Sequence, residues 1–137
     1  MSADQRTHEK ISPQLCGRAE ELGAGHAKVV LDASQEMAAD WRGLIHGGFT
    51  FGLADYAAML AVNEPTVVPA NATAKFLAPV VVGDRLEAEA TVEQTDGKKR
   101  SVKVTVRRAG AAVMEGEFLA VVPDGHILDV ARSRPRA

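Results

Sequence analysis

The stretch LIHGGFTFGLADYAAMLAVN, residues 44–63, decides the fold of this 137-residue chain. Between Gly47 and Val62 the only side chain that is charged at pH 7 is Asp55. This segment contains no proline and is long enough for about four helical turns. Its apolar side chains point to all sides of such a helix, and a helix that is apolar all round must be buried all round. The sequence therefore predicts a central helix that the rest of the protein encloses.

The flanking segments predict the sheet that encloses this helix. A helix from Ser12-Pro13 to about Leu22 and a strand over residues 27–33 come first. Four more strands are predicted at residues 72–78, 85–94, 101–107 and 112–122. This order predicts an α+β fold. One short sheet face cannot enclose such a helix, so we expect the sheet to curl around it and a second copy of the chain to cover the rest.

Two of the predicted strands alternate strictly between apolar and polar residues, which determines their faces. The residues expected to cover the helix are Leu86, Val92, Val102 and Val104. Those expected on the outer face are Glu87, Glu89, Glu93, Lys103 and Arg107.

Composition and charge indicate the class of protein. The chain is 46% hydrophobic and 25% charged, which predicts one domain with its core at about residues 12–122, a loose tail over residues 1–11 and a second tail over 123–137. A net charge of −2 gives no basic field for nucleic acid, and the longest apolar run is too short to cross a membrane. The polar N-terminus and the single cysteine, Cys16, favour a soluble protein of the reducing cytoplasm. The four histidines are scattered without metal-ligand spacing, so no metal is expected.

The start of the buried helix carries the candidate chemistry. His46-Gly47-Gly48 stands where the first helical N–H groups have no intrahelical partner, and such groups bind an anion or an oxyanion. The two glycines let a ligand approach this backbone, although they equally permit close helix packing. Asp55 follows about two turns later and can serve as a base or a nucleophile. A carboxylate and an oxyanion site are the minimum for hydrolysing an activated acyl group.

The spacing of these groups predicts a dimer. Gly47 and Asp55 are about 12 Å apart along one helix at about 1.5 Å per residue, yet both must lie within about 3.5 Å of one reacting carbonyl. Two copies packed antiparallel about a twofold axis solve this, because each supplies its helix start to the other's aspartate.

With these residues the chain resembles the hotdog-fold acyl-CoA thioesterases, specifically the phenylacetate-pathway type. The resemblance rests on the run GLIHGG at residues 43–48, on the acid nine residues after the histidine, and on NATAKFLAPVVVGDRLEAEATV at residues 71–92. It covers about residues 20–122 and implies a curled antiparallel sheet wrapped around a long central helix. It also implies a homodimer joined edge to edge, or a tetramer of two such dimers. The implied activity is acyl-CoA hydrolysis with no cofactor, coenzyme A being part of the substrate.

The resemblance also implies roles for individual residues. Asp55 corresponds to the nucleophile or general base, the Gly47 N–H to the oxyanion donor, and His46 to a group that helps place the thioester carbonyl. Thr73, eighteen residues after the acid, corresponds to a residue that orients water or the acid. Many members carry Asn or Gln at the position of Asp40, which leaves its substrate-binding role open because an ionised carboxylate cannot donate a hydrogen bond.

Other residues have two interpretations each. Gly48, Phe49, Tyr56 and Met59 are candidate substrate contacts, although the last three equally suit the core. The basic run Lys98, Lys99 and Arg100 suits either a solvated hairpin end or a site for the coenzyme A phosphates. Cys16 has no adjacent base in the sequence and is expected to pack.

Two other functions remain as alternatives to a thioesterase. A hydratase or dehydratase acting on acyl thioesters usually pairs a histidine with an acid, and the lone Asp55 fits that less well. A non-catalytic acyl-CoA sensor needs a fused DNA-binding or regulatory segment, for which 137 residues are expected to leave no room.

Overall fold

The computed structural model describes residues 3–131 and consists of one antiparallel sheet curled around a long helix. The helices are α1 (Pro13–Cys16), α2 (Gly47–Val62) and α3 (Ile127–Ala131), with a 3-10 turn at Gln35–Met37. The strands are β1 (Arg18–Gly23), β2 (His26–Asp32), β3 (Val68–Phe76), β4 (Arg85–Asp96), β5 (Lys99–Arg108) and β6 (Ala111–Val121). Their order in the sheet is β1-β2-β4-β5-β6-β3, with every neighbouring pair antiparallel. This confirms the predicted α+β hotdog arrangement.

Helix α2 is the centre of the core, as its all-round apolar character predicted. It contacts all six strands, most closely β4, β2 and β5, and its second half is enclosed from Tyr56 to Ala61. In its first half, Phe51, Gly52 and Asp55 are only half-buried. One face of the helix is therefore open in the single chain.

The predicted register of the sheet is confirmed. Leu86, Val102 and Val104 are buried against α2, and Val92 is half-buried at the edge of the same core. Cross-strand partners such as Val92 and Val102 share a face. The alternate residues, with Glu87 and Lys103 among them, lie on the outer face.

The predicted helix from Ser12 to Leu22 is wrong beyond Cys16. Gly17 has a φ of 106°, which helical residues do not adopt, and a Cβ there would come within 2.9 Å of Val29 Cγ1. The chain turns at this glycine and residues 18–23 pair with β2 as an edge strand. Glu20 and Glu21 of this strand form ion pairs with Arg85 at the start of β4 and with Lys28 on β2.

The expected loose tail over residues 1–11 is also wrong for the described part, residues 3–11. The N-terminal segment, defined here as residues 3–11, is fastened to the end of α2. Asn63 accepts a hydrogen bond from the Arg6 N–H at 2.8 Å and donates one to the Asp4 carbonyl at 2.8 Å. Gln5 donates to the Tyr56 hydroxyl at 3.2 Å. Local sequence patterns carry little sign of this because the contacts join residues more than fifty positions apart.

Smaller differences occur at two other predicted boundaries. Strand β3 begins at Val68, four residues before the predicted strand, and includes Pro69, which edge strands tolerate because its missing N–H faces solvent. Residues 127–131 of the expected C-terminal tail form α3, and residues 132–137 lie outside the described part. Among the helices of residues 3–131, none is long and apolar enough to cross a membrane.

Replacing Asn63 by alanine is expected to lower the free energy of unfolding by about 2–3 kcal/mol. Two hydrogen bonds are lost, each worth about 1 kcal/mol, and alanine must adopt the left-handed conformation at φ 51°, which costs about 1 kcal/mol more. Urea unfolding followed by circular dichroism measures the change. Asn63→Gly is the matched control because it loses the two hydrogen bonds without the backbone strain. The loss of stability in Asn63→Gly should therefore be about a third smaller than the loss in Asn63→Ala. Equal stability of both variants and the wild type would contradict this account of the N-terminal segment.

Candidate active site

The start of α2 is organised by His46, which caps the helix. Its Nδ1 accepts a hydrogen bond from the Gly48 N–H at 2.8 Å, and its carbonyl accepts one from the Phe49 N–H at 3.0 Å. Because Nδ1 is an acceptor, the neutral ring carries its proton on Nε2. In the described residues no hydrogen bond occupies the Gly47 N–H, which leaves it as the first available donor of the helix.

Gly47 lines an apolar groove of about 380 Å³. The groove lies between the helix start and the chain that follows the edge strand β3, and its walls include Leu44, Phe76 and Leu77. A Cβ on Gly47 would lie 3.2 Å from the Phe76 ring, so this close approach favours glycine. Phe76 and Leu77 are 58% and 50% exposed. The sequence pattern predicts only a strand for them, although two large apolar residues just before Pro79 are a sign of an open apolar surface.

Asp55 is the other candidate reactive group, and it has an unusual environment. Its Oδ1 is fully enclosed, and no hydrogen-bond partner for it exists among the described residues. Burial raises the pKa of this carboxyl above its ordinary value because the charged form loses hydration. Burial and, secondarily, the nearby charge of Asp55 also raise the pKa of the Cys16 thiol. A carboxylate with few hydrogen bonds and a raised pKa is suited to act as a base.

One chain does not bring Gly47 and Asp55 to the same place. They are about two helical turns apart, or about 12 Å along the axis, and Asp55 does not line the groove beside Gly47. The two halves of the predicted chemistry therefore lie at separate points on α2.

Phe49, Tyr56 and Met59 were candidates for either the core or a substrate pocket, and their burial distinguishes between the two. Met59 has no exposed surface, and Tyr56 is 3% exposed with its hydroxyl bonded to Gln5. Both are core residues, which corrects their assignment as substrate contacts. Phe49 is half-buried and packs edge-to-face on the His46 ring with centroids 6.2 Å apart, so it remains beside the helix start together with the exposed Gly48.

Thr73 is not next to Asp55 within one chain. Its cross-strand partner is Glu117, which in turn pairs with Lys103 on the outer face of the sheet. Cross-strand partners share a face, so the exposed Thr73 lies on the opposite side of the sheet from α2. Within one chain Thr73 therefore does not reach the acid, and its role there stays a prediction.

The basic run lies far from the start of α2 in the single chain. Lys98, Lys99 and Arg100 form the β4–β5 hairpin end, at the end of the sheet where α2 finishes rather than where it begins. Lys98 is paired with Asp124 at 2.8 Å.

Asp40 accepts hydrogen bonds from the N–H groups of Arg42 and Leu44, at 3.0 and 3.1 Å, and so shapes the loop that leads into α2. An ionised carboxylate suits this acceptor role.

Titratable side chains do not gather into a metal site in residues 3–131, where no group of three or more His, Cys, Asp or Glu has the required arrangement. The expectation that no metal takes part stays a prediction.

Comparison with protein families gives a match over more than half of the chain. The family model described as "Thioesterase superfamily" matches residues 42–115. These residues contain the His46-Gly47-Gly48 run, Asp55 and the sheet from β3 to the middle of β6.

Individual proteins that resemble this chain have diverse names. A methylthioribose-1-phosphate isomerase of Aquifex aeolicus (strain VF5) is 48% identical over 118 residues, covering 86% of this chain but 26% of that protein. The transcription factor FapR of Thermoanaerobacter sp. (strain X514) is 25% identical over 125 residues, covering 90% of this chain and 62% of that protein. The chain thus spans about a quarter of the first relative and less than two thirds of the second.

Solved structures share the fold over most of their length. The uncharacterized protein PH1136 from Pyrococcus horikoshii is 50% identical, with a TM-score of 0.93 and coverage of 94% of this chain and 99% of that one. A mutant of the phenylacetic acid degradation protein PaaI from Thermus thermophilus is 26% identical, with a TM-score of 0.74 and coverage of 80% and 95%.

Proposed function

Because the chain belongs to the thioesterase superfamily, we propose that it hydrolyses an acyl-CoA thioester to a free acid and coenzyme A. The observation that carries the proposal is Asp55, whose enclosed Oδ1 has no partner in the described chain and whose pKa is raised by burial. A structural carboxylate would be paired or hydrogen-bonded, because burying it unpaired costs free energy. A catalytic carboxylate instead keeps an oxygen available for water or for the substrate.

The proposed reaction uses three groups on α2 and its cap. The Gly47 N–H donates a hydrogen bond to the thioester oxygen as negative charge develops there. The His46 Nε2–H is available to donate to the same carbonyl. Asp55 either removes a proton from the attacking water or attacks the carbonyl carbon itself. When Asp55 acts as the base, water adds to the carbonyl carbon, the C–S bond breaks, and the coenzyme A thiolate leaves and takes up a proton. When Asp55 attacks, the C–S bond breaks to give the thiolate and a mixed anhydride, and water then cleaves the anhydride to the free acid and the Asp55 carboxylate.

The reaction needs two chains, and we propose a homodimer formed through β3. This strand is a long edge with almost every residue exposed, and Phe76 at its end lines the same groove as Gly47. Antiparallel pairing of two β3 strands about a twofold axis would extend the sheet and bring the start of each α2 toward the middle of the other. A tetramer of two such dimers remains compatible with the exposed outer faces.

The same dimer gives the basic run a role. Antiparallel pairing would put the Lys98–Arg100 hairpin end of one subunit on the side where the partner subunit's α2 begins. We propose that these cations contact the coenzyme A phosphates there. Similarity to PaaI at 26% identity supports the phenylacetate-pathway-type subgroup, and no cofactor beyond the substrate's own coenzyme A is proposed.

Incubation with a panel of acyl-CoA thioesters is expected to release free thiol, detected with a thiol-reactive dye. Activity should persist after exhaustive chelation and dialysis, because the proposed groups supply both the base and the oxyanion donor without a metal. Activity that disappears on chelation and returns with a divalent ion would contradict the metal-free route.

A second candidate function is acyl-CoA binding without turnover, because one relative at 25% identity, FapR, is named as a transcription factor and not as an enzyme. Acyl-CoA esters would then raise the melting temperature while releasing no thiol. That pair of results would favour a sensor over a hydrolase.

A further inference from the structure

The entry segment, defined here as residues 43–46, immediately precedes α2 and sets where the first N–H groups of the helix lie. It has backbone partners on two sides. On one side the His46 N–H donates to the Met37 carbonyl at 3.0 Å, and the Ala39 N–H donates to the Leu44 carbonyl at 2.7 Å. The chain just before the entry segment therefore fixes this side.

A second piece of backbone, residues 80–82, lies along the other side of the entry segment. The Ile45 N–H donates to the Val80 carbonyl at 2.8 Å, and the Val82 N–H donates to the Gly43 carbonyl at 2.9 Å. Both bonds are made within a few residues of the proposed oxyanion donor. A shift of residues 80–82 would therefore move the start of α2.

Packing of side chains holds only part of this contact. Ile45 and Val80 are buried. Leu44 and Val81, which lie opposite each other between the two hydrogen bonds, are 40% and 42% exposed. The geometry of the contact thus depends on what holds residues 80–82 from the other side.

Asp84 holds these residues by closing a turn over them. Its Oδ2 accepts a hydrogen bond from the Val81 N–H at 2.9 Å, and its own N–H donates to the Val81 carbonyl at 3.1 Å. Gly83 has a φ of 95°, which fits the third position of a type II turn. The carboxylate and the backbone of Asp84 therefore fix Val81 from both of its polar groups.

The turn is itself anchored to the sheet. The Asp84 carbonyl accepts the Ala33 N–H at 2.8 Å, and the Gly83 N–H donates to the Ala33 carbonyl at 2.8 Å. Asp84 Oδ2 also accepts a hydrogen bond from Arg108 Nη1 at 3.3 Å, at the end of β5. Asp84 does not line the groove beside Gly47, so any effect on chemistry there passes through the backbone.

We infer that Asp84 is a positioning residue for the proposed oxyanion donor. By holding the Val81 N–H it fixes residues 80–82, which fix the entry segment and so the direction of the Gly47 N–H. This inference rests on the proposed function. A misplacement of a catalytic group by about 1 Å can lower a rate about 100-fold, so a side chain that never touches the substrate can have a large effect.

Replacing Asp84 by alanine is expected to lower kcat about 10- to 100-fold with little change in KM, because an oxyanion donor acts on charge that develops in the transition state. Asp84→Asn keeps an oxygen that can accept the Val81 N–H, so it should retain most of the activity. Asp32→Ala is the matched control. This exposed carboxylate lies at the same end of the sheet and pairs with Arg18 at 3.4 Å, and its removal should leave kcat within about 2-fold of the wild type.

A second pair of variants breaks the same series of contacts one step later. Val82→Pro removes the N–H that bonds the Gly43 carbonyl, yet proline suits the second position of a type II turn. Val81, which would precede the proline, already pairs as an extended residue. Val82→Pro should lower kcat in the same way as Asp84→Ala, whereas Val82→Ala keeps the N–H and should retain most of the activity. This pair decides the question if Asp84→Ala does not fold.

Amide hydrogen exchange tests the positioning without any activity. The Ile45 amide should exchange faster in Asp84→Ala than in the wild type, because its acceptor lies in the released residues 80–82. Amides in the middle of β5 should keep their wild-type exchange rates. Asp84→Asn should leave the exchange of Ile45 close to that of the wild type.

Four results would overturn the proposal. Asp84→Ala could be as active as the wild type, or Val82→Pro as active as Val82→Ala. Equal losses in Asp84→Ala and Asp84→Asn would indicate that the charge of Asp84 acts directly. Exchange that accelerates as much in β5 as at Ile45 would indicate a general loss of stability. If the wild type releases no thiol, the proposed function fails, and unchanged exchange at Ile45 in Asp84→Ala would then overturn the positioning role as well.

Discussion

Replacing Asp55 by asparagine is expected to lower kcat for acyl-CoA hydrolysis by about 10³-fold or more. Asparagine keeps the shape of the side chain but can neither accept a proton nor attack a carbonyl, so the loss reports the missing base or nucleophile. The measurement is thiol release under saturating substrate. Glu93→Gln is the control, because this carboxylate is exposed on the sheet and its removal should leave kcat within about 2-fold of the wild type.

Because the pKa of Asp55 is raised, the rate of the wild type and the melting temperature of Asp55→Asn are also expected to depend on pH. The wild-type rate should increase as pH rises through the pKa of Asp55 in the folded protein, which lies above the ordinary 3.8 of an aspartate. Because the folded state holds this proton more tightly than the unfolded state, ionising Asp55 costs stability, and the cost develops as pH rises from the unfolded pKa through the folded one. Asp55→Asn should therefore melt at a higher temperature than the wild type at neutral pH, and the difference should close as pH falls toward the ordinary aspartate value. A variant that melts lower than the wild type at neutral pH would indicate that Asp55 is a paired structural carboxylate.

Mixed dimers of two inactive variants are expected to recover activity, up to about half of the wild-type rate per heterodimer. One subunit carries Asp55→Asn and the other Gly47→Pro, which removes the proposed oxyanion donor. Proline suits the first helical position, and the preceding His46 already has the extended conformation that proline requires, with φ −61° and ψ 130°. The exposed Phe76 ring can shift to accept the added Cβ.

The twofold symmetry of the proposed interface sets the size of the recovery. In the heterodimer one composite site keeps both wild-type groups and the other site has neither. Differently tagged subunits allow the heterodimer to be purified before its rate is measured. Heterodimers as inactive as their parents would show that Gly47 and Asp55 of one chain serve the same site.

The elements that follow a regular pattern could be predicted from the sequence. The run from Gly47 to Val62 combined apolar character on all sides with no helix breaker, and it forms the central helix over those residues. Strands β4 and β5 alternate strictly, and a one-residue slip would have exposed Val102 and Val104, so their register followed directly.

The elements that depend on distant partners could not be predicted in the same way. Strand β1 is rich in charged residues because it lies at an edge and pairs its acids with Lys28 and Arg85, so its local pattern resembles a helix. The N-terminal segment is held by Asn63, and no local pattern records a contact between residues so far apart. Tyr56 and Met59 lie within the same apolar run as Phe49, and only the packing of the sheet shows which of them are enclosed.

Only part of the candidate site could be predicted from the sequence. His46, Gly47 and Asp55 could be singled out because glycines at a helix start and a lone acid in an apolar run each contradict the surrounding pattern. The apolar groove beside Gly47 could not, because only the folded chain brings Phe76 and Leu77 to the start of α2.

The two edges of the sheet differ in a way that limits how many copies can join. Strand β3 offers nine residues for pairing, whereas β1 has an irregularity between Ala19 and Glu21 and carries charged side chains engaged in ion pairs. Pairing two copies through β3 would leave β1 at both ends of the joined sheet. A bulged, charged strand is a poor template for adding another strand. The proposed dimer would thus end in strands that oppose the open-ended stacking that leads to fibres.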